Sequence, residues 1–386
     1  MNIFFKKIAL KIIDLGLLLF TYLFSFFYKN KYIYVVNFTN DKEDLKERLS
    51  FYYPKYYLKE LIFSNSVPFR ACFSNEPVLQ YGSKIFSLKF KNALLKNLFW
   101  VDSFENPNDG SEWIRFSNYV NNHKVNVKES KSIFDKYVFI LKQKGLKKAY
   151  IFGTGVSLDK AITKHWEDGY RIVCNTIVKD PTLWDHLNPN FIVAGDAIYH
   201  FGHTKFARTF RKDLKKRLHE SDILFIYPEF FDSIVRRELG EFEDRLVPIP
   251  VNKHKNIHVN LMENFNLPEM GNVLALLLLP IGCTLSKHIY LWGFDGRSPK
   301  DKNKLFWSNS SKHAYENLLN SIQSAHPKFF EHFVPKNNLN KYVLNVHGDL
   351  LDQRLKIAEH IGYTFTMMHP TYTETLQKRF LSKGAL

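Results

Sequence analysis

The chain has 386 residues, 54 Lys and Arg against 38 Asp and Glu, and a formal net charge of +16. Its length allows two or three domains at about 100–200 residues each, and 45% hydrophobic residues is enough for a real core and excludes a disordered chain. The basic balance suits an anionic partner such as a nucleotide, a phospholipid or an acidic glycan. Lys and Arg are spread along the chain without a nucleic-acid-binding motif, so nucleic acid ranks low among these. Three cysteines (Cys72, Cys174 and Cys283) are odd in number and widely spaced, which argues against a disulfide framework and a cysteine-based zinc site. A reducing, cytoplasmic location is the default for the catalytic part.

Residues 1–36 come first. An apolar run over 12–28, interrupted by Asp14, follows Lys6, Lys7 and Lys11 and precedes Lys29 and Lys31. It is just short of the ~20 residues that span a bilayer, and no small-residue cleavage site follows it. The expectation is a membrane-associated helix, spanning or lying among the headgroups. A helix packed on the protein's own core is the plain alternative. Residues 37–130 read as a small α+β region of unknown role, with a turn at 106–110 and a strand-like alternation at 84–90.

From 131 onwards the pattern is regular. Helices are predicted over 133–144, 159–166, 203–218, 271–284 and 349–361. Strands are predicted over 149–152, 170–175, 191–196, 223–227, 288–293 and 363–368. This alternation predicts an α/β domain over 131–386, with a Rossmann-like, mostly parallel sheet covered by helices on both faces.

Ligands of such sheets bind beyond the C-terminal strand ends. Those ends offer Gly153, Thr154, Gly155 and Ser157, then Asn175, then Asp196, then Gly293, Asp295 and Arg297. Glycines in Gly153-Thr154-Gly155 allow backbone N–H groups to approach an anion, and Ser157 is placed to cap a following helix. There is no third glycine in register and no Gly-Lys-Ser/Thr, so neither a dinucleotide nor a P-loop fingerprint is complete. The second predicted strand ends in Asn175, a neutral amide where a dinucleotide site has a carboxylate, which shifts weight towards a mononucleotide. Each of these residues also reads as an ordinary turn residue. His200 and His203 lack a carboxylate or third histidine in register and are read as a helix-start pair or an acceptor contact rather than as metal ligands. The basic face of 203–218 is a solvated face or meets anionic lipid or an anionic acceptor.

The order of these motifs resembles the bacterial sialyltransferases of glycosyltransferase family 42, from about Tyr150 to Phe380. Gly153-Thr154-Gly155-Val156-Ser157-Leu158 is similar to the family's Gly-x-Gly-Pro-Ser-Leu loop, with Thr154 and Val156 departing from it. Arg171-Ile172-Val173-Cys174-Asn175 resembles its strand ending Arg-Cys-Asn, and Asp196 falls at a second donor-binding Asn. Met270-Gly271-Asn272-Val273 resembles its Ser-Gly-Val helix start, and Tyr290 to Asp295 its Tyr-Leu-Ser-Gly-Ile-Asp. His347 falls at its catalytic histidine, and His369-Pro370-Thr371 at its Cys-Pro-Asn-Ser. The family's phosphate-holding tyrosines are replaced by Gly296-Arg297-Ser298.

The resemblance implies a GT-A-variant-like fold and an inverting transfer from a CMP-activated sialic-acid-like or Kdo-like sugar to a cell-surface glycan precursor, such as lipopolysaccharide or capsule. It implies His347 as general base; where the family has its tyrosines, Arg297 is the candidate for the leaving phosphate through its planar donors, and Lys302 and Lys304 read as a solvated basic loop more than as assistants to it. It implies donor contacts from Gly153, Thr154, Gly155, Ser157, Asn175, Asp196, Gly271, Asn272, Gly293 and Asp295. No metal or other cofactor is expected, because such a donor carries one phosphate. The implied place of work is the cytoplasmic face of the inner membrane, and homo-oligomerisation is left open. Two other classes compete: a metal-dependent, pterin pyrophosphokinase-like phosphotransferase, and a non-catalytic nucleotide- or glycan-binding module.

Overall fold

The computed structural model describes residues 31–68, 70–71, 74–83, 96–254, 256–298, 310, 312–333 and 349–381. The chain forms two compact units, Met1–His123 with Ala325–Phe329, and Lys124–Ser324 with Phe330–Leu386.

In the first unit, strands β1 (Tyr32–Val36), β2 (Glu60–Ser64), β3 (Val78–Gln80) and β4 (Leu98–Trp100) form a sheet in the order β2-β1-β3-β4. Every pairing is parallel. This corrects two expectations. Residues 32–36, assigned above to the N-terminal segment, are an interior strand buried at four of its five positions. The region that follows is a parallel α/β unit rather than α+β. Interior parallel strands are covered on both faces, so they read as continuous apolar runs and not as alternation. Helices Lys42–Tyr52 and Asp109–Val120 accompany the sheet. The strand expected at 84–90 and the apolar run at 12–28 lie outside the described residues. Among the described residues, no helix is long and apolar enough to cross a membrane.

The second unit is built on seven parallel strands: β5 (Lys148–Phe152), β6 (Gly169–Cys174), β7 (Phe191–Val193), β8 (Leu224–Pro228), β9 (Leu246–Ile249), β12 (His288–Trp292) and β13 (Thr364–Met367). Their order is β13-β12-β5-β6-β7-β8-β9. Short strands β10 (Val251–Asn252) and β11 (Leu267–Pro268) pair separately. From β5 the chain winds outward to β9, then returns to place β12 and β13 on the other side of β5. The order therefore reverses between β5 and β12, and that switch point is where a doubly wound sheet opens a crevice at its C-terminal edge.

Helices flank this sheet. Lys205–Glu220 buries Phe206, Ala207, Phe210, Leu214 and Leu218 and leaves Lys205, Arg208, Lys212 and Lys216 exposed. Not all of its basic face is solvated, since Arg211 Nη1 donates to the carbonyls of His200 and Gly202, and Arg217 Nε to that of Val178. The apolar helix expected at 271–284 is interrupted. Leu274–Leu278 forms a wide π turn in which Leu279 N–H reaches back to the Leu274 carbonyl, and an α-helix, Leu279–Leu285, continues from it. Pro280 explains the break, because it has no N–H to donate and its ring collides with the preceding turn. The helix expected at 159–166 is instead a tight 3-10 turn, Val156–Thr163. Trp166 leaves that turn to pack edge-on against Tyr150, Phe152 and Trp292, and its Nε1–H donates to the Ala161 carbonyl.

Candidate functional site at the sheet switch point

Three loops meet at the switch point: those after β5, β12 and β13. Gly153 N–H donates to the Trp292 carbonyl at 2.8 Å and Gly155 N–H to the Gly293 carbonyl at 2.8 Å. The glycines let the two backbones touch. A Cβ on Gly155 would lie 2.1 Å from Asp295 Oδ2, and one on Gly153 would lie 2.6 Å from the Gly293 carbonyl oxygen. The Asp295 carboxylate sits on the start of the 3-10 turn. It accepts from Ser157 N–H at 3.1 and 3.2 Å and from Ser157 Oγ–H at 2.9 Å. This corrects the anion-cradle expectation. The N–H groups of Gly153, Gly155 and Ser157 are already engaged, and the anion at this turn is the chain's own carboxylate. Gly293 and Asp295 thus close the loop rather than line an open cradle. Ser157 does not cap an α-helix.

His369, which follows β13, completes the closure. Its Nε2 accepts from Gly293 N–H at 3.0 Å and stands 2.8 Å from Ser157 Oγ. Its Nδ1 meets the Pro370 carbonyl at 2.8 Å. That carbonyl can only accept, so the proton sits on Nδ1 and the ring is an acceptor at Nε2. Ser157 has one hydroxyl proton for two acceptors, and Asp295 Oδ1 is 3.9 Å from His369 Nδ1. This is an Asp–Ser–His cluster with its hydrogen bonds directed at loop closure. It is not a nucleophile–base–orienter series, because the carboxylate bonds the serine and not the imidazole. The sequence reading set His369 against a Cys of the resemblance and gave it no role. Its position just past the last predicted strand is the one signal that pointed to it.

The other predicted residues divide. Asn175 directly follows β6 in the left-handed region at φ 52°, and its side-chain Oδ1 is buried with no hydrogen-bond partner among the described residues. Asp196 spends its Oδ1 on Ile198 N–H and Tyr199 N–H at 2.9 and 3.0 Å, so it shapes the turn after β7. Asn272 caps the π turn, its Oδ1 accepting from Ala275 N–H at 2.9 Å, and Gly271 precedes it at the exposed entry. Thr154 lies between the two loop glycines, and its carbonyl accepts from Ser310 N–H at 3.0 Å. Arg297 lies two residues beyond Asp295, partly exposed. His347, Lys302 and Lys304 lie outside the described residues.

A further group stands beside the loop after β5. His313 is wholly buried, and its Nε2 lies 3.6 Å from Asp159 Oδ1 and 3.9 Å from Asp180 Oδ2. Burial holds its pKa below the usual histidine value, against the opposing pull of Asp180 and Asp159. Among the described residues no group of three or more His, Cys, Asp or Glu could hold a metal ion. The thiols of Cys174 and Cys283 are buried and pushed up by desolvation, which leaves them unreactive.

No family model, curated protein or solved structure matches this chain.

His200 belongs to the frame. Burial and the Arg211 guanidinium lower its pKa to about 3, and its Nδ1 accepts from Asp196 N–H at 3.2 Å. The folded pKa lies below the unfolded value, so its stabilisation is complete above about pH 6.5 and is lost as pH falls towards 3. The urea-midpoint gap between the native chain and His200→Gln should narrow steadily from pH 7 to pH 4.5. A gap that does not change with pH would show that His200 titrates as it does in the unfolded chain.

Proposed function

We propose that the second unit binds a cytidine-monophosphate-activated sugar at the C-terminal edge of its sheet. In this reading it is a GT-A-variant-like glycosyltransferase that transfers a sialic-acid-like or Kdo-like sugar, with inversion, to a hydroxyl of a cell-surface glycan precursor. The observation that carries the reading is Asn175. It is a neutral amide at the end of the strand beside the switch-point strand, in a strained left-handed conformation, with a buried carbonyl oxygen that no described group satisfies. Buried polar atoms are rarely left unpaired, so such an atom at a crevice points to an absent partner that donates a proton.

In the transfer, the acceptor oxygen forms a bond to the anomeric carbon, the bond from that carbon to the phosphate oxygen breaks, and CMP leaves with the electron pair. The proton passes from the acceptor hydroxyl to an imidazole, for which His347 is the proposed base. Arg297 stabilises the departing phosphate with its planar donors. The apolar N-terminal run would hold the enzyme at the cytoplasmic face of the inner membrane, where lipid-linked precursors are presented.

The test is release of CMP from CMP-sialic acid and CMP-Kdo in the presence of a lipooligosaccharide acceptor. His347→Ala should lower turnover at least about 100-fold, the usual scale of general-base catalysis, while CMP affinity is retained. Turnover equal to the native chain's would remove His347 from the mechanism. Absence of CMP release from both donors would remove the transfer reading.

A further inference from the structure

The strands of the first unit are parallel, so all of them start from one edge of their sheet. The apolar N-terminal run leads into that edge. Glu60 N–H, at the start of β2, donates to the Lys31 carbonyl at 3.0 Å, which sets the entry to β1 beside the turn that leads into β2. Tyr28, the last residue of the apolar run, is four residues before Tyr32. At ~3.5 Å per residue the run therefore ends within about 14 Å of this edge, whatever path the chain takes.

Two large apolar side chains project from the same place. The 3-10 turn Tyr56–Leu58 is closed by its own backbone, with Leu58 N–H on the Lys55 carbonyl at 3.1 Å and Lys59 N–H on that of Tyr56 at 2.8 Å. Tyr57 is 72% exposed and Leu58 65%. A single exposed apolar residue is ordinary. Here two are adjacent on a tight turn, beside the end of an apolar run and among positive charges. Lys31, Lys55 and Lys96 are exposed along this edge, Lys96 just before β4. The carboxylate of Glu76 does not oppose them, because it is buried and accepts from Tyr34 Oη and the Arg70 guanidinium. Glu60 is an exposed carboxylate among them. Tyrosine and leucine ringed by lysines suit the headgroup layer, where the ring and the alkyl chain leave water and the ammonium groups meet lipid phosphate.

We infer that this edge of the first unit is a membrane-contact surface, at which Tyr57 and Leu58 enter the headgroup layer of an anionic bilayer and Lys31, Lys55 and Lys96 lie over its phosphates. The inference rests on the membrane placement of the apolar run proposed above. The run tethers the chain, and the turn sets how the first unit faces the bilayer.

Hydrogen exchange tests it on the full chain, free and bound to vesicles of equal parts phosphatidylcholine and phosphatidylglycerol. Amides of 55–59 should exchange at least about 10-fold more slowly in the bound chain. Those of 103–105, at the opposite edge of the same sheet, should not change. In Tyr57→Ser/Leu58→Ser the slowing should disappear while the urea midpoint stays near the native value, since both side chains are exposed. On phosphatidylcholine alone the slowing should be about 5-fold smaller, the scale of one lysine at an anionic surface. Bound chain with unchanged exchange at 55–59 would overturn the contact and leave the tether standing. Equal slowing on both kinds of vesicle would overturn the assignment to anionic lipid. Slow exchange at 55–59 in the free chain that grows with its concentration would mean that a second copy covers the turn, and would overturn a lipid surface. No binding to either vesicle would overturn both the contact and the tether.

Discussion

Gly293→Ala is expected to destabilise the second unit by about 3–5 kcal/mol, among the largest single-residue effects in the chain. Two costs coincide there. Gly293 has φ +80°, where an L side chain is strained, and its Cβ would lie 2.2 Å from the Gly153 carbonyl oxygen and 2.8 Å from its carbon. Both obstacles are backbone, which cannot swing aside as the end of a flexible side chain would. Gly145 supplies the control. Its φ is +66° but nothing lies within 4 Å of its Cβ position, so Gly145→Ala should cost about 1–2 kcal/mol from conformation alone. Urea unfolding of the two variants measures the difference. Equal midpoints would mean that the loops after β5 and β12 are not in contact.

Asp295→Ala carries the second large effect, about 3 kcal/mol, because hydrogen bonds to a charged group are worth roughly 1.5–3 kcal/mol each and the carboxylate holds both the N–H and the hydroxyl of Ser157. Its side chain is only 14% exposed, so water restores little of this. The variant has a second expected property. With the internal carboxylate gone, the start of the turn Val156–Thr163 becomes a vacant anion position. Formate at tens of millimolar should recover part of the lost thermal stability in Asp295→Ala and have no effect on the native chain. Unrescued loss would show that Asp295 acts by filling space rather than by charge.

Much of the second unit was legible in the sequence. Its strands are short apolar runs stopped by Gly, Asn or Pro, and 149–152, 170–175 and 288–293 fall within a residue or two of β5, β6 and β12. The same feature hid the first unit. With lysines and aromatics flanking 32–36, a buried interior strand could not be told from the end of a membrane helix. The 3-10 turn after Gly155 was missed because the apolar spacing of Leu158, Ala161 and Ile162 satisfies a helical period. The tertiary anchor of Trp166 and the bond from Ser157 to Asp295 are long-range and leave no local trace.

At the site, the strand-end rule found Asn175, Gly153, Gly155, Gly293 and Asp295. It could not show that the last four are engaged within the chain, Gly153 with Trp292, Gly155 with Gly293 and Asp295 with Ser157. His313 had no signal at all, since a histidine in a polar stretch reads as a surface residue and its burial comes from contacts more than 130 residues away, as with Asp180.

The most direct test is nucleotide binding by the purified full chain, followed as thermal stabilisation by CMP, UMP, GDP and ATP with magnesium, in the native chain and in Asn175→Ala. CMP should stabilise the native chain above the other three. At one hundred times its dissociation constant it would add about 2.7 kcal/mol, and most of that gain should disappear in Asn175→Ala. Preferential stabilisation by magnesium-ATP, or a CMP effect that Asn175→Ala leaves intact, would contradict a cytidine nucleotide held at the end of β6.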